Sequence, residues 1–117
     1  MTRNLNYKET SFVKGLLNGV VEWGKYIQQL SSAKVVDLNV KYCLRFLLED
    51  YDYKDIELFG SNLVQRQVMD NDNVPILISL DFDRNGNLYE LDVCKADFSE
   101  ISLDLLTTKV VDVKNKE

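Results

Sequence analysis

The run Asp81-Phe82-Asp83-Arg84-Asn85-Gly86-Asn87-Leu88-Tyr89-Glu90-Leu91-Asp92 (DFDRNGNLYELD, residues 81–92) decides the fold, because it admits two incompatible readings. In the first it is a calcium loop of the EF-hand type. Asp81, Asp83, Asn85 and Gly86 take the first, third, fifth and sixth positions, Leu88 takes the apolar slot, and Asp92 stands where a bidentate Glu belongs. Such a loop joins two helices, yet the preceding Pro75-Ile76-Leu77-Ile78-Ser79-Leu80 alternates and is β-branched. In the second reading Asn85-Gly86 is a two-residue type I′ turn. Phe82 then pairs with Tyr89, Leu80 with Leu91 and Ile78 with Val93, so one face is apolar throughout. A slip of one residue destroys that match, and the hairpin is the reading that survives.

The same register stacks Asp83 opposite Leu88, Asp81 opposite Glu90, Ser79 opposite Asp92 and Leu77 opposite Cys94 on the other face. Like charges facing each other cost stability in a sheet. Three explanations are open: a solvated face relieved by Lys95, Lys41 or Arg45 on a neighbouring strand, a contact surface for a basic partner, or a divalent ion held by Asp81, Asp83, Glu90 and Asp92.

Upstream of the hairpin, Leu63 to Met69 is ambiguous in period, but Asp70-Asn71-Asp72-Asn73 is turn chemistry and Val74 to Phe82 is a strand, so residues 63–82 form a second hairpin. In Val36 to Phe46 every even position is apolar, which predicts one strand with a buried face. Near the start, Asn6 or Thr10 caps a helix whose apolar positions are Phe12, Leu16, Leu17, Val20, Trp23, Ile27 and Leu30; its glycines either allow close packing or mark a break. At the other end, Ser99 to Leu106 reads as a short helix capped by Ser99, and Val110 to Val113 as a weak strand. Residues 1–117 make one α+β domain: an N-terminal helix on a mainly antiparallel, meandering sheet, with a short C-terminal helix or strand.

The 117 residues are 45% hydrophobic, enough for one core. Glu9, Lys14, Glu22 and Lys25 interrupt every apolar stretch near the N-terminus, so neither a signal peptide nor a membrane span is expected; a cytoplasmic location follows, with Cys43 and Cys94 as free thiols. Net charge is -5, unevenly divided. Residues 1–48 hold seven Lys/Arg against three Asp/Glu, a net of +4, and residues 49–117 hold seven against sixteen, a net of -9. That balance lacks the basic footprint of a direct nucleic-acid binder and suits a basic protein partner. A second acidic cluster, Glu49, Asp50, Tyr51, Asp52, Tyr53 and Asp55, combines carboxylates with aromatic contact area. It reads equally as an ordinary polar connection.

Catalytic inventory is thin. The chain has no His, no P-loop, no Gly-rich nucleotide fingerprint and no nucleophile elbow, and two isolated cysteines make no metal spacing. No enzyme activity and no cofactor are expected. Asp72-Asn73-Val74, Ile78 to Asp83, Gly86 to Val93 and Lys95-Ala96-Asp97-Phe98-Ser99 together resemble the C-terminal half of a family of small, uncharacterised bacterial domains ending in Leu-Tyr-Glu-Leu-Asp and Lys-x-Asp-Phe. The likeness spans roughly residues 56–103 and implies no catalytic residues. The small, acidic, His-free profile also resembles, in type rather than motif, the immunity proteins that bacteria pair with toxin domains of contact-dependent or secreted systems. That resemblance implies a cognate toxin domain as partner, a basic nuclease covered by carboxylates and aromatics, met by Asp81, Asp83, Glu90 and Asp92 or by the residue 49–55 cluster. The alternatives are a divalent-metal module on the 81–92 carboxylates and a non-catalytic regulatory subunit.

Overall fold

The computed structural model describes residues 2–48, 59–108 and 111–112. Its elements run β1 (Thr2–Asn4), α1 (Tyr7–Leu17), α2 (Trp23–Ser32), β2 (Lys34–Asp37), β3 (Leu44–Leu47), β4 (Phe59–Met69), β5 (Pro75–Asp83), β6 (Leu88–Lys95), a 3₁₀ turn at Leu105–Thr107, and β7 (Val111–Asp112). The strands form one sheet in the order β1-β2-β3-β6-β5-β4-β7 with every neighbouring pair antiparallel. Both helices lie on one face. Phe12, Val13, Leu16 and Leu17 of α1 and Tyr26 and Leu30 of α2 share a core with Val35, Leu44, Phe46, Val64, Ile76, Ile78, Leu80, Leu91 and Val93. Each such side chain contributes about 1.5–3 kcal/mol on burial. This is the α+β layering expected, with two helices where one was predicted. None of the described helices is long and apolar enough to cross a membrane.

The helical segment breaks at Gly19, which takes φ +85° and so ends α1 in a conformation that costs glycine nothing. The break rotates the second half. Trp23, expected on the core face, is half exposed and Val21 is 85% exposed, while Tyr26 and Leu30 turn inward. Asn6 caps α1 as predicted. Its Oδ1 accepts the Glu9 N–H at 2.8 Å, and its own N–H donates to Glu9 Oε1 at 2.9 Å.

Residues 36–46 are not one strand but the ends of two. β2 and β3 pair Val35 with Phe46 and Val36 with Arg45 across a loop, with Leu38 N–H donating to Cys43 O and Cys43 N–H to Val40 O. Val35, not Val36, is fully buried, and Val40 is 56% exposed. Apolar alternation simply runs on through the loop. The loop is fixed from a distance: Tyr42 sits at φ +73°, and its hydroxyl donates to Leu103 O at 3.2 Å and accepts the Leu105 N–H at 3.4 Å.

The hairpin β4–β5 forms around Asp70 to Asn73 as the turn residues predict. Along β5–β6, Ile78 pairs with Val93, Leu80 with Leu91, Asp81 with Glu90, Ser79 with Asp92 and Leu77 with Cys94, all in the expected register. Near the bend the register shifts, and Phe82 pairs with Leu88 rather than Tyr89. The turn is therefore not the two-residue type I′ bend. Asp83 N–H donates to Asn87 O at 2.8 Å, Gly86 N–H donates to Asp83 O at 3.0 Å, and only Gly86 of the central residues has positive φ. This is a type I turn closed by a left-handed glycine, with Tyr89 as the bulged residue.

The Ser99 to Leu106 helix is absent. Only Leu105–Thr107 turns, as a 3₁₀ element. The segment before it is bound to the β4–β5 turn, because Asp70 accepts the N–H groups of Ser102 and Leu103, both at 3.0 Å, and the Ser102 hydroxyl at 2.9 Å. Lys95 completes the joint, donating to Asp70 Oδ2 at 2.8 Å, Asp72 Oδ2 at 2.7 Å and Glu100 O at 3.1 Å.

Candidate protein-docking face

The helices leave the second face of the sheet without helical cover among the described residues, and the pairing places Asp81, Glu90 and Asp92 there, with Asp83 beyond the register shift at the bend. Row by row across β4, β5, β6 and β3 the face carries Gln67, Leu77 and Cys94, then Gln65, Ser79 and Asp92, then Asn62, Asp81, Glu90 and Arg45.

These carboxylates are not equivalent. Asp81, 5% exposed, accepts Asn62 Nδ2 at 2.7 Å and the Ser79 hydroxyl, and Asn62 Nδ2 also donates to Ser79 Oγ at 2.9 Å. Asp83, 2% exposed, spends one oxygen on the turn, accepting the N–H groups of Asn85 at 2.8 Å and Asn87 at 3.0 Å. Both are satisfied inside the fold and offer a partner little. Glu90 is half-buried and takes Arg45 Nε at 3.0 Å and Nη2 at 2.7 Å, while the guanidinium lies 4.6 Å from the centre of the Tyr89 ring. Arg45 thus relieves the repulsion between Asp81 and Glu90. Of the other two bases considered, Lys41 lies against the Tyr42 ring and Lys95 is committed to Asp70 and Asp72. Asp92 alone of the four is exposed. Glu49, Asp50, Tyr51, Asp52, Tyr53 and Asp55 lie outside the described residues.

An ion site needs several free carboxylate oxygens converging, and among the described residues no three His, Cys, Asp or Glu side chains do so. A thiol nucleophile fares no better. Cys43 is buried, donates to Val93 O at 3.3 Å and accepts the Val93 N–H at 3.2 Å, and burial pushes its pKa up to about 11.

Two ionic joints off this face were not read from the sequence. Arg3 forks onto Glu9 at 2.8 and 2.7 Å and onto Asp37 at 2.8 and 2.7 Å, tying β1, α1 and β2 together. The other is Lys95 with Asp70, buried to 4% and 3% exposure. One signal for it existed: Lys95 falls in phase with Leu91 and Val93 on the core side.

Both joints predict an acid limb to stability. The Lys95 ammonium holds the Asp70 carboxyl well below the usual range, and the Arg3 guanidinium lowers Glu9. A lowered carboxyl stabilises the folded chain above its unfolded pKa, roughly 4, and that contribution drains away as pH falls through the folded value. Melting temperature should hold steady near neutrality and fall below about pH 4. Calorimetry should find the acid loss smaller in Asp70→Asn than in the parent chain; equal losses would remove Asp70 as a source.

A family model described as a domain of unknown function (DUF6984) matches residues 2–104. No curated protein and no solved structure matches the chain.

Proposed function

We propose that the chain, which belongs to the DUF6984 family of domains of unknown function, is a non-catalytic immunity protein. It binds one cognate bacterial toxin domain, a basic nuclease, and occludes the active site. The observation that carries this reading is the division of charge between the two faces. Exposed Lys8, Lys14 and Lys25 belong to the helices, whereas Asp92 and half-buried Glu90 lie on the uncovered sheet face, in a half-chain of net charge -9. An acidic flat surface steers and selects a basic partner. Arg45 offsets one of these charges, since its guanidinium is paired with Glu90, and leaves Asp92 as the exposed carboxylate of the face. A regulatory subunit would use the same face, with a partner that is not toxic.

Co-expression separates the two. The product of the reading frame immediately upstream should arrest growth alone and not with this chain; toxicity indifferent to its presence would sink the immunity reading. The face has its own test. Asp92→Lys should weaken binding of that product about 10-fold, mainly through the association rate, and flatten the salt dependence of affinity. An unchanged Kd would remove Asp92 from the interface. Asp81 is unsuitable for charge reversal, since a buried cation there would unfold the sheet instead of probing contact.

A further inference from the structure

We infer that Phe98, exposed at the end of the sheet where Met69 and Leu77 are also exposed, is the apolar anchor of a docking surface for a basic protein. The inference rests on the binding role proposed above and moves its centre away from Asp81 and Asp83.

Phe98 is 86% exposed and sits at φ +62°. An aromatic residue in the left-handed region is rare, and it persists only where the surroundings hold it. Tyr42 is the comparison: it is also left-handed, but its hydroxyl bonds Leu103 and Leu105. The Phe98 ring is given to solvent, and its strain is maintained from below. Its N–H donates to Lys95 O at 2.9 Å, the Asp97 carboxylate accepts the Ser99 N–H at 3.0 Å and the Ser99 hydroxyl at 2.6 Å, and Ala96 N–H donates to Pro75 O at 2.8 Å. Lys95 itself is anchored on Asp70 and Asp72. A ring projected from so tied a turn loses little freedom on binding.

Register supplies the rest. Leu77, 47% exposed, lies beside Cys94 on the uncovered face, and the next row pairs Pro75 with Met69, 43% exposed. This is the sheet end from which the Phe98 turn departs. Exposed Asp92, Asp97 and Glu100 belong to β6 and the turn that follows it, and exposed Asp72 of the β4–β5 turn is paired with Lys95. Between residues 67 and 108 the only Lys or Arg are Lys95, neutralised inside, and Arg84, at the opposite tip of the β5–β6 hairpin. An aromatic anchor with an acidic rim fits a basic surface that has an apolar pocket.

The test is Phe98→Gly, which removes the ring and suits the backbone. Its melting temperature should match or exceed that of the parent chain, and Kd for the upstream product, by titration calorimetry, should weaken at least about 10-fold. Lys8→Glu on α1 is the control and should bind as the parent does. A fall in melting temperature beyond about 5 °C would make the ring structural and overturn the proposal. So would unchanged affinity in a product that binds; the immunity reading would then survive without this anchor. If the upstream product does not bind at all, that reading fails and the surface is tested separately. A benzoylphenylalanine placed at position 98 is photolysed in the cell of origin, and the adduct is purified and titrated. A basic protein that binds the parent about 10-fold tighter than Phe98→Gly supports the anchor. No adduct, an acidic protein, a nucleic acid or a second copy of this chain overturns it.

Discussion

Lys95→Met should cost more stability than any substitution on the surface, lowering the melting temperature by about 10 °C or more. The side chain of Lys95 is 3% exposed and that of Asp70 is fully enclosed, so removing the ammonium leaves a carboxylate where water cannot reach it. Met matches the stem in length, and what is lost is charge rather than packing volume. Asp70 would keep the N–H groups of Asn71, Ser102 and Leu103 and the Ser102 hydroxyl, which stabilise it but do not neutralise it. Asp72 and the Glu100 carbonyl lose a donor at the same moment. Adding Asp70→Asn should recover part of the loss, because the neutral amide can still accept from Ser102 and Leu103. The double-mutant cycle would then be strongly non-additive. Additive losses, or a melting temperature within about 3 °C of the parent for Lys95→Met, would mean that the pair is idle.

Gly60→Ala should destabilise by about 3 kcal/mol, near the upper end for overpacking. Gly60 lies in the irregular stretch of β4 between the Phe59–Asp83 and Ser61–Phe82 pairs. A Cβ there would stand 2.4 Å from Asp83 O, 2.6 Å from Asp83 C and 2.9 Å from Arg84 N. All three are backbone atoms, so no rotamer change makes room. The displaced Asp83 carbonyl is the acceptor of Gly86 N–H, and the strain would pass into the turn that closes β5–β6. Urea titration should lower the midpoint with little change in slope. A shift worth less than about 0.5 kcal/mol would show that the strands can part at no cost.

The sequence discloses the central hairpins because their apolar residues recur every second position and their turns carry Asp, Asn and Gly. The exact bend is hidden, since Asn-Gly serves both turn types and the choice rests on Asp83 capping two amides. In residues 36–46 the same alternation misleads: Leu38 and Val40 stay in phase although the chain has left the sheet, and the loop is held by Tyr42 reaching residues 103 and 105. Of the candidate site, the face of Glu90 and Asp92 was legible from register alone. The burial of Asp81 and Asp83 was not, because it depends on Asn62 from a strand nineteen residues away and on a loop geometry that no local pattern specifies. Phe98 carried no periodic signal at all.

The strand order also divides the strand pairing of the sheet into two local sets. β1 to β3 and β4 to β6 are each built of neighbours in sequence, cheap to close in entropy. Within the sheet they meet at one seam, where among the described residues β3 and β6 share the pairs Leu44–Leu91 and Arg45–Glu90. Three long-range contacts reinforce it: the Arg45 clamp on Glu90, the Cys43 thiol on Val93, and Gln29, which donates to Asn87 Oδ1 at 2.7 Å and accepts the Leu88 N–H at 3.0 Å. The seam is thus the one long-range pairing at the centre of the sheet, and α1 and α2, packed from the first set onto β4, β5 and β6, close over it together with these polar clamps.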